Sequence, residues 1–319
     1  MTYITKVNPK KSLFKEYFKN KNISDTYFLG TWKFGGFNFG KYDQLDALET
    51  LDYAYNNKIR TYDIASFYAK GNSNKVLKKF LSNKNRKDFV LCAKVGLHWK
   101  GNQSYHDASD TAIKKQFQDL LNTFNTSYVD ILLLHWPDPS ISLEESLNTL
   151  NELKQKHKCK FIGVCNIDES HTNIIEKASL DTIHMPNNIL RNKSQKQFIE
   201  SLHAKYNLCL FSLFENGFLT STKYQHSENF GKKDHRRKLI KHIPEQTKKE
   251  IITIFEKENK SFSTIQCIYI WSLENLLFDS IIIGPKNINQ IIELENAKKH
   301  ITQIKQTPLY SYLNEKFKN

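Results

Sequence analysis

Short apolar runs alternate with helix-length amphipathic stretches from residue 26 to about residue 304 of the chain. The runs are rich in β-branched and aromatic residues, as buried strands are, and the stretches between them carry the periodicity of helices. Strands separated by helices pair in parallel through right-handed crossovers. The runs that we interpret as strands begin at Tyr27, Ile59, Phe89, Tyr128, Lys160, Asp181, Leu208 and Ser280.

These eight units fill a chain of 319 residues, the length of a closed (β/α)8 barrel, and no linker rich in Gly, Pro or Ser divides them. We therefore expect an α/β protein with one single-domain (β/α)8 TIM barrel over residues 1–319, of which residues 1–24 form an N-terminal extension. The alternative is a doubly wound open sheet, which would bind a cofactor at a glycine-rich first turn.

The glycines after the first predicted strand bear on this choice. Residues 35–41 spell GxxxxGK, a near match to the phosphate loop of NTPases. That motif continues with a Ser or Thr that holds Mg²⁺, but Tyr42 stands there, and a phenol is a poor magnesium ligand. The pattern GxGxxG is absent as well. We interpret the segment as a flexible loop at a barrel mouth and keep an NTPase as an alternative.

Lys and Arg outnumber Asp and Glu by 47 to 33, and the net charge of +14 favours phosphate-bearing partners. The excess is spread along the chain except for a basic block at residues 232–237. No nucleic-acid-binding signature accompanies that block, so we expect no nucleic-acid partner. We interpret the block as a solvated loop. The alternative is a loop that helps to hold a phosphorylated cofactor or substrate.

The cysteines are five in number, form no CxxC pair and lie in apolar segments, which predicts reduced, buried thiols. No apolar run approaches the ~18 residues of a membrane helix, and the first residues lack the apolar core of a secretory signal. We expect a cytoplasmic protein with no membrane contact and no metal site.

In a (β/α)8 barrel the functional residues follow the carboxyl ends of the strands. Those positions hold Asp63 with Tyr68 shortly after it, Lys94, and His135. A phenol is a slow proton donor at neutral pH, and a nearby ammonium such as that of Lys94 lowers its pKa. Asp63 would offset the burial of Lys94, and His135 would orient a carbonyl. Since no side chain supplies hydride, the set predicts carbonyl reduction with a bound cofactor.

Eight separated segments resemble the aldo-keto reductase family, in its bacterial type with a GTWxFGG start. The segments are GTW with FGG at residues 30–36, TYDIASFYAKGNSN, LCAKVG, LLLHWPDP, FIGVCN, MPNNILR, LFENGFLT and IIIGPKNINQIIE. They stand in the family's order. The resemblance implies that Asp63, Tyr68, Lys94 and His135 are its catalytic tetrad, with Tyr68 as general acid.

The resemblance also implies a nicotinamide cofactor that lies extended across the barrel mouth. The implied cofactor residues are Gly30, Thr31, Trp32, Asp63, Cys165, Asn166, His184, Phe211, Ser212, Leu213, Gly217, Leu219, Gly284, Lys286, Gln290 and Glu293. The sequence departs from the family where Cys165 replaces a Ser and His184 a Gln, and Gln290 stands where many members have an Arg for the 2′-phosphate. Lys286 favours NADPH, with NADH not excluded.

The substrate pocket is predicted to be an apolar slot. Its expected residues are Trp32, Phe34, Tyr68, Trp99, His135 and Trp136, whereas Trp271 is expected in the core. Such a slot fits a small or planar aldehyde or a sugar, and the basic block would suit a phosphorylated substrate. A nicotinamide-binding regulatory or redox-sensing subunit with little turnover is the alternative to an enzyme.

Overall fold

The computed structural model describes residues 9–37, 39, 42–222, 226–232, 234–258 and 261–318. Eight parallel strands in this part of the chain close into a barrel in the order β1-β10-β9-β8-β7-β6-β3-β2. Two further strands, β4 and β5, form a separate hairpin. The strands are β1 (Tyr27–Gly30), β2 (Thr61–Ala65), β3 (Val90–Val95), β4 (Leu97–Lys100), β5 (Gln103–His106), β6 (Val129–Leu134), β7 (Cys159–Cys165), β8 (Thr182–Pro186), β9 (Asn207–Phe211) and β10 (Ser280–Ile283). The predicted barrel is confirmed, and the open sheet is wrong.

Helices connect the barrel strands and cover their outer face. They are α1 (Pro9–Lys21), α2 (Gln44–Asn56), α3 (Asn72–Leu81), α4 (Asp110–Phe124), α5 (Leu143–Gln155), α6 (Thr172–Lys177), α7 (Asn192–Lys205), α8 (Arg236–Leu239), α9 (Glu245–Glu256), α10 (Thr264–Asn275), α11 (Ile288–Lys299), α12 (Ile301–Lys305) and α13 (Pro308–Phe317). Side-chain caps begin several of them. Asp43 accepts from two backbone N–H groups of α2, and Ser109 and Asn287 cap α4 and α11 in the same way.

The side chains of each barrel strand alternate between two apolar layers. One layer lies between the strands and the helices and includes Leu132, Val164 and the fully buried Trp271. The other fills the barrel interior with Phe28, Cys92, Ile131, Leu133, Phe161, Cys165 and Cys209. The barrel is therefore a packed core, and only its ends can hold a site. All five cysteines are free and buried, as predicted.

Helix α1 closes the amino-terminal end of the barrel. Phe18 is fully buried and stacks on Phe28 at the start of β1, with ring centroids 5.8 Å apart. Phe14 lies 4.9 Å from Phe161 near the start of β7. The ammonium of Lys11 forms an ion pair of 2.7 Å with Asp279. Phe14 and Phe18 of α1 are thus part of the barrel core, so the site must lie at the opposite, carboxyl-terminal end.

The antiparallel β4–β5 hairpin follows β3 at the carboxyl-terminal end of the barrel, and the sequence analysis did not predict it. It carries Trp99 toward the barrel mouth, where the indole N–H donates to the Phe67 carbonyl over 2.8 Å. Among the described residues, no helix combines the length and apolar character that a bilayer crossing requires.

Candidate active site

The structure brings the four predicted catalytic residues together at the carboxyl ends of β2, β3 and β6. Lys94 lies between its two partners: its ammonium contacts a carboxylate oxygen of Asp63 and donates to the Tyr68 hydroxyl over 2.8 Å. The Tyr68 hydroxyl is also 3.0 Å from the other oxygen of Asp63. The His135 ring meets the Tyr68 ring edge to face, with centroids 5.7 Å apart. All four side chains are buried.

Burial and charge set the protonation of this group. Burial raises the pKa of the Tyr68 phenol and Asp63 raises it further, and together they outweigh the lowering effect of Lys94. Lys94 therefore acts in the predicted direction, but the net shift of the Tyr68 pKa is upward. Burial opposes the charge of Lys94, yet the Asp63 carboxylate raises the Lys94 pKa well above its usual value. The site thus holds a neutral phenol beside a fixed ammonium–carboxylate pair.

His135 is neutral in this environment. Burial lowers its pKa well below the usual range, and the charges of Lys94 and His106 lower it further. Its backbone N–H donates to Val95 over 2.8 Å, and its carbonyl accepts from the Asn166 side chain over 2.9 Å. These bonds hold the ring beside Tyr68. Its Nδ1 has no hydrogen-bond partner among the described residues.

His184 is fully buried in β8, level with Cys165 of β7 and Cys209 of β9. Burial, with a smaller effect of Lys94, lowers the His184 pKa well below the usual range. Both ring nitrogens lack a hydrogen-bond partner in the part of the chain that the structure describes. A buried polar group without a partner is unfavourable, and a carboxamide, which both donates and accepts, is a fitting partner for a neutral imidazole.

Asp63, Cys92 and His184 place one possible ligand atom each within 4.8 Å of one another. Both carboxylate oxygens of Asp63 are already engaged, one by the Lys94 ammonium and one by the Tyr68 hydroxyl. The cation of this cluster is therefore Lys94, and the cluster belongs to the ion pair of Lys94 with Asp63.

Aromatic rings form the walls beside the tetrad. Trp32 stacks on Tyr68 with centroids 5.5 Å apart and an interplanar angle of 9°. The second wall is Trp99, stacked on Phe67 at 4.4 Å, and Phe67 in turn lies 6.1 Å from His135. Trp136 is 42% exposed, with its ring beside His106 of the hairpin. These rings pack around the Tyr68 and His135 side chains.

Several predicted site residues have their side chains in the core. Phe34 is 1% exposed and packs in the outer apolar layer, so its assignment to the pocket wall is wrong. Leu213 and Leu219 lie in the same layer, which leaves only their backbone to face a cofactor. Thr31 is also fully buried, and its hydroxyl donates to the Asp63 backbone carbonyl over 2.8 Å. This hydrogen bond helps to fix the backbone that carries the Asp63 carboxylate.

The loop after β9 has several residues with left-handed backbone. Ser212, Glu215, Asn216 and Gly217 all have positive φ, at 59°, 42°, 56° and 98°. The backbone N–H groups of Glu215, Gly217 and Leu219 donate to carbonyls within the loop, those of Ser212 and Phe214, and so fix its path. The Glu215 carboxylate holds the loop in place. It accepts from the Asn188 side-chain amide over 2.7 Å and forms a bidentate ion pair with the Arg191 guanidinium at 2.7 and 2.8 Å.

A lysine outside the predicted set stands beside this loop. The Lys33 ammonium donates to the Gly284 carbonyl over 2.5 Å at the end of β10. Loss of hydration, with the nearby charges of Lys286 and Arg236, lowers the Lys33 pKa to about 7. Cations held close together against their repulsion form a site for an anion. The position of a lysine directly after the first strand was the only signal for Lys33 in the sequence.

The other residues predicted at the adenosine end shape the loop between β10 and α11. Gln290 accepts from the Lys286 backbone N–H over 2.8 Å, and Glu293 accepts from the Ser263 hydroxyl over 2.6 Å. Gly284 is exposed at the strand end, and Phe211 is half-buried at the end of β9. Gly30 ends β1, and Cys165, with its side chain in the barrel interior, ends β7 just before Asn166.

The basic block is only partly a solvated loop. Arg236 is 5% exposed and forms an ion pair of 2.6 Å with Asp234, which is equally buried. His235 stacks on the face of Trp32 at 5.1 Å, with an interplanar angle of 22°. The interpretation as a solvated loop is wrong for these residues because they pack over the barrel mouth, while Lys232 and Lys238 are exposed. Lys233 lies outside the described residues.

The near match to a phosphate loop cannot be followed to its end, because Gly40 and Lys41 lie outside the described residues. Its first glycine has a packing role. A Cβ atom on Gly35 would lie 2.1 Å from the Cβ of Ala69, so only glycine fits where this loop crosses the segment after Tyr68.

The residues around the mouth fit a nicotinamide dinucleotide. His184 has two buried nitrogens without a partner among the described residues, and Lys33 and Lys286 provide positive charge beyond the end of β10. Lys33, Lys286 and Tyr68 all follow barrel strands, at the carboxyl-terminal end of the barrel.

Comparison with known proteins agrees with this geometry. The model of the Aldo/keto reductase family matches residues 28–307. Aldo-keto reductase YhdN of Bacillus subtilis is 30% identical over 195 residues, covering 60% of this chain and 59% of that protein. The NADH-specific methylglyoxal reductase of Escherichia coli is 28% identical over 212 residues, covering 61% of this chain and 65% of that protein. The matches thus span about three fifths of these relatives' length.

A solved structure shows the same fold. The glycerol dehydrogenase AKR11B4 from Gluconobacter oxydans superposes with a TM-score of 0.70 over 93% of both chains, at 23% sequence identity. Together with the family match over most of the sequence, the barrel and the tetrad lead to one assignment. The chain belongs to the aldo/keto reductase family.

Proposed function

We propose that this protein reduces an aldehyde or ketone to an alcohol with NADPH or NADH as the hydride source. The observation that carries the proposal is the buried contact of the Lys94 ammonium with both the Tyr68 hydroxyl and the Asp63 carboxylate. Family membership supports the same reaction class, and the NADH-specific methylglyoxal reductase among the relatives is consistent with it.

Tyr68 acts as the general acid. Its phenol is kept neutral by burial, so it can donate a hydrogen bond to a carbonyl oxygen in the slot. As negative charge develops on that oxygen, the adjacent Lys94 ammonium stabilises the phenolate left by proton transfer. The neutral His135 beside the Tyr68 ring orients the carbonyl. Asp63 keeps Lys94 charged and in place.

The cofactor, when bound, supplies a hydride to the carbonyl carbon. We assign its nicotinamide end to Asn166, His184 and Phe211, and its pyrophosphate to Lys33 and the backbone of residues 212–219. Trp32, between the Tyr68 and His235 rings, walls the pocket and excludes water from the reacting atoms.

Lys286 beside Lys33 supports a preference for NADPH, since a second cation favours the additional phosphate. A charge-assisted contact of about 1.5–3 kcal/mol corresponds to roughly ten- to a hundredfold in affinity. We propose a small or planar carbonyl substrate for the aromatic slot, with a sugar or a phosphorylated compound as further candidates. The reduced, buried thiols are consistent with a cytoplasmic location.

The test measures the reduction of 4-nitrobenzaldehyde and of methylglyoxal by the wild-type protein and by Tyr68→Phe. The rate is obtained from the decrease in NADPH absorbance. The substitution removes one hydroxyl and keeps the ring that stacks on Trp32. We expect kcat to fall at least a thousandfold, with NADPH affinity within a few fold of wild type. Equal turnover by the two proteins would refute Tyr68 as the acid. Tight NADPH binding without turnover of any carbonyl would favour the regulatory subunit.

A further inference from the structure

Lys70 stands at the outer rim of the aromatic slot, two residues after the catalytic Tyr68. Its ammonium lies 4.7 Å from the centroid of the Phe37 ring and 5.6 Å from that of Trp99. It also donates to the Asn102 side chain in the hairpin over 2.5 Å. An exposed lysine is ordinarily mobile, but two rings and an amide hold this one in a defined place.

The backbone directs Lys70 to this place at a conformational cost. Ala69 and Lys70 have φ of 47° and 54°, in the left-handed region that residues with a Cβ avoid. Two successive non-glycine residues in that region form a strained turn. Strain of this kind is concentrated at functional sites, where the surrounding structure maintains it. Here it sets the Lys70 side chain against the wall of the slot.

The aromatic wall links Lys70 with the catalytic residues. Phe67 touches the His135 ring on one side and stacks on Trp99 on the other, and Trp99 contacts the Lys70 ammonium. A cavity of about 590 Å³ adjoins this wall between the hairpin and α4, with Phe67, Lys70 and Trp99 among its lining residues. Phe67 is the residue that joins this cavity to the reaction site, because it lines the cavity and also meets the His135 ring.

The charged residues beside the wall determine which charge is favoured at the far end of a bound substrate. The wall itself is apolar, and Lys70 is the charged group seated on it. Lys115, Asp107 and Asp119 line the side of the cavity formed with α4, and Asp107 accepts from the Ser109 hydroxyl over 2.7 Å. An ammonium at the end of an apolar wall favours an anionic group.

We propose that the substrates are aldehydes whose end opposite the carbonyl carries an anionic oxygen group, and that Lys70 is the residue that selects them. The inference rests on the proposed reductase function and adds the substrate class to it. The carbonyl occupies the position at Tyr68 and His135, the body of the substrate lies on Phe67 and Trp99, and the anionic group meets Lys70.

The experiment compares matched substrates that differ in charge. The carboxylate arm uses 4-carboxybenzaldehyde against its uncharged ester, methyl 4-formylbenzoate. The phosphate arm uses glyceraldehyde 3-phosphate against glyceraldehyde. For each pair the ratio of kcat/KM, anionic over neutral, is measured with NADPH at low and at high salt. The pair with the larger ratio identifies the group that Lys70 recognises.

The variants are Lys70→Asn and Lys70→Arg. Asn tolerates the left-handed backbone, so it removes the charge without changing the turn, and Arg retains the charge. Lys78→Asn, in which an exposed lysine of α3 is changed in the same way, is the control for net charge.

We expect a wild-type ratio of at least five in one arm, lowered about three- to tenfold by Lys70→Asn through KM. Lys70→Arg and Lys78→Asn should stay within twofold of wild type, and high salt should lower the ratio only where residue 70 is charged. If Lys70→Asn has the wild-type ratio and still reduces both neutral aldehydes, the proposed role of Lys70 is refuted and the proposed reductase function is not. Failure to reduce either neutral aldehyde overturns the proposed function and this inference with it.

Discussion

Replacement of Lys94 by Met tests the buried ion pair on which the chemistry depends. The side chains of Lys94 and Asp63 are each only 4% exposed. Met keeps most of the aliphatic volume of Lys, so the main loss is the charge. The Asp63 carboxylate then remains in the barrel interior with the Tyr68 hydroxyl as its remaining side-chain partner.

Breaking a buried pair by removing one partner costs about 3–5 kcal/mol of folding free energy, because a charge is left without compensation. We expect a loss of this size for Lys94→Met at pH 8. The loss should be smaller at pH 5, because a carboxylate without its counter-charge takes up a proton more readily and then is no longer a buried charge. The double variant Asp63→Asn with Lys94→Met removes both charges and should cost only about 1–2 kcal/mol.

The assay is urea unfolding followed by tryptophan fluorescence, for wild type, both single variants and the double variant at pH 5 and 8. Since each single variant should lose about 3–5 kcal/mol and the double variant about 1–2 kcal/mol, the double-mutant cycle should yield a coupling energy of about 4–9 kcal/mol. In parallel, Lys94→Met should lose most of its kcat and keep cofactor affinity within a few fold. Additive stability effects would refute the electrostatic role of the pair. A variant defective only in cofactor binding would reassign Lys94 to the cofactor site.

Three further outcomes are expected. Because burial keeps His184 neutral in the fold, protonation of this histidine in the unfolded chain favours unfolding below about pH 6.5. The free energy of unfolding should therefore fall by about 2 kcal/mol between pH 7 and pH 5, and His184→Gln should remove this part of the pH dependence of urea unfolding. Lys33 loses its proton as pH rises through about 7, so NADH affinity measured by fluorescence should fall several-fold between pH 6.5 and 8.5, and Lys33→Arg, which stays charged, should abolish the trend. Phe18→Ala should cost about 3–5 kcal/mol in the same unfolding assay, whereas Leu13→Ala on the exposed face of α1 should change stability by less than about 0.5 kcal/mol.

The sequence by itself determined the barrel and singled out the four side chains that the structure brings together. Strand and helix patterns are local, and the alternation of eight short apolar runs with helix-length stretches admits few topologies. Because parallel strands bring their carboxyl ends to one rim, residues far apart in sequence such as Asp63 and His135 could be assigned to one site. The contact of Lys94 with both Asp63 and Tyr68 follows the same logic.

Only the tertiary structure decided which side chains face the site and what charge they carry. Phe34 and Phe37 are three residues apart, yet Phe34 packs in the core while Phe37 meets Trp99, a difference set by the loop path. The basic block gave no sign that His235 covers Trp32, because that contact joins segments about two hundred residues apart.

The pKa shifts have the same origin. Loss of hydration and through-space charges act on Tyr68 and Lys33 from elements distant in the chain, so composition and spacing do not reveal them. Local periodicity thus specifies the scaffold of this protein, whereas the packing of distant segments specifies its electrostatics and the shape of its pocket.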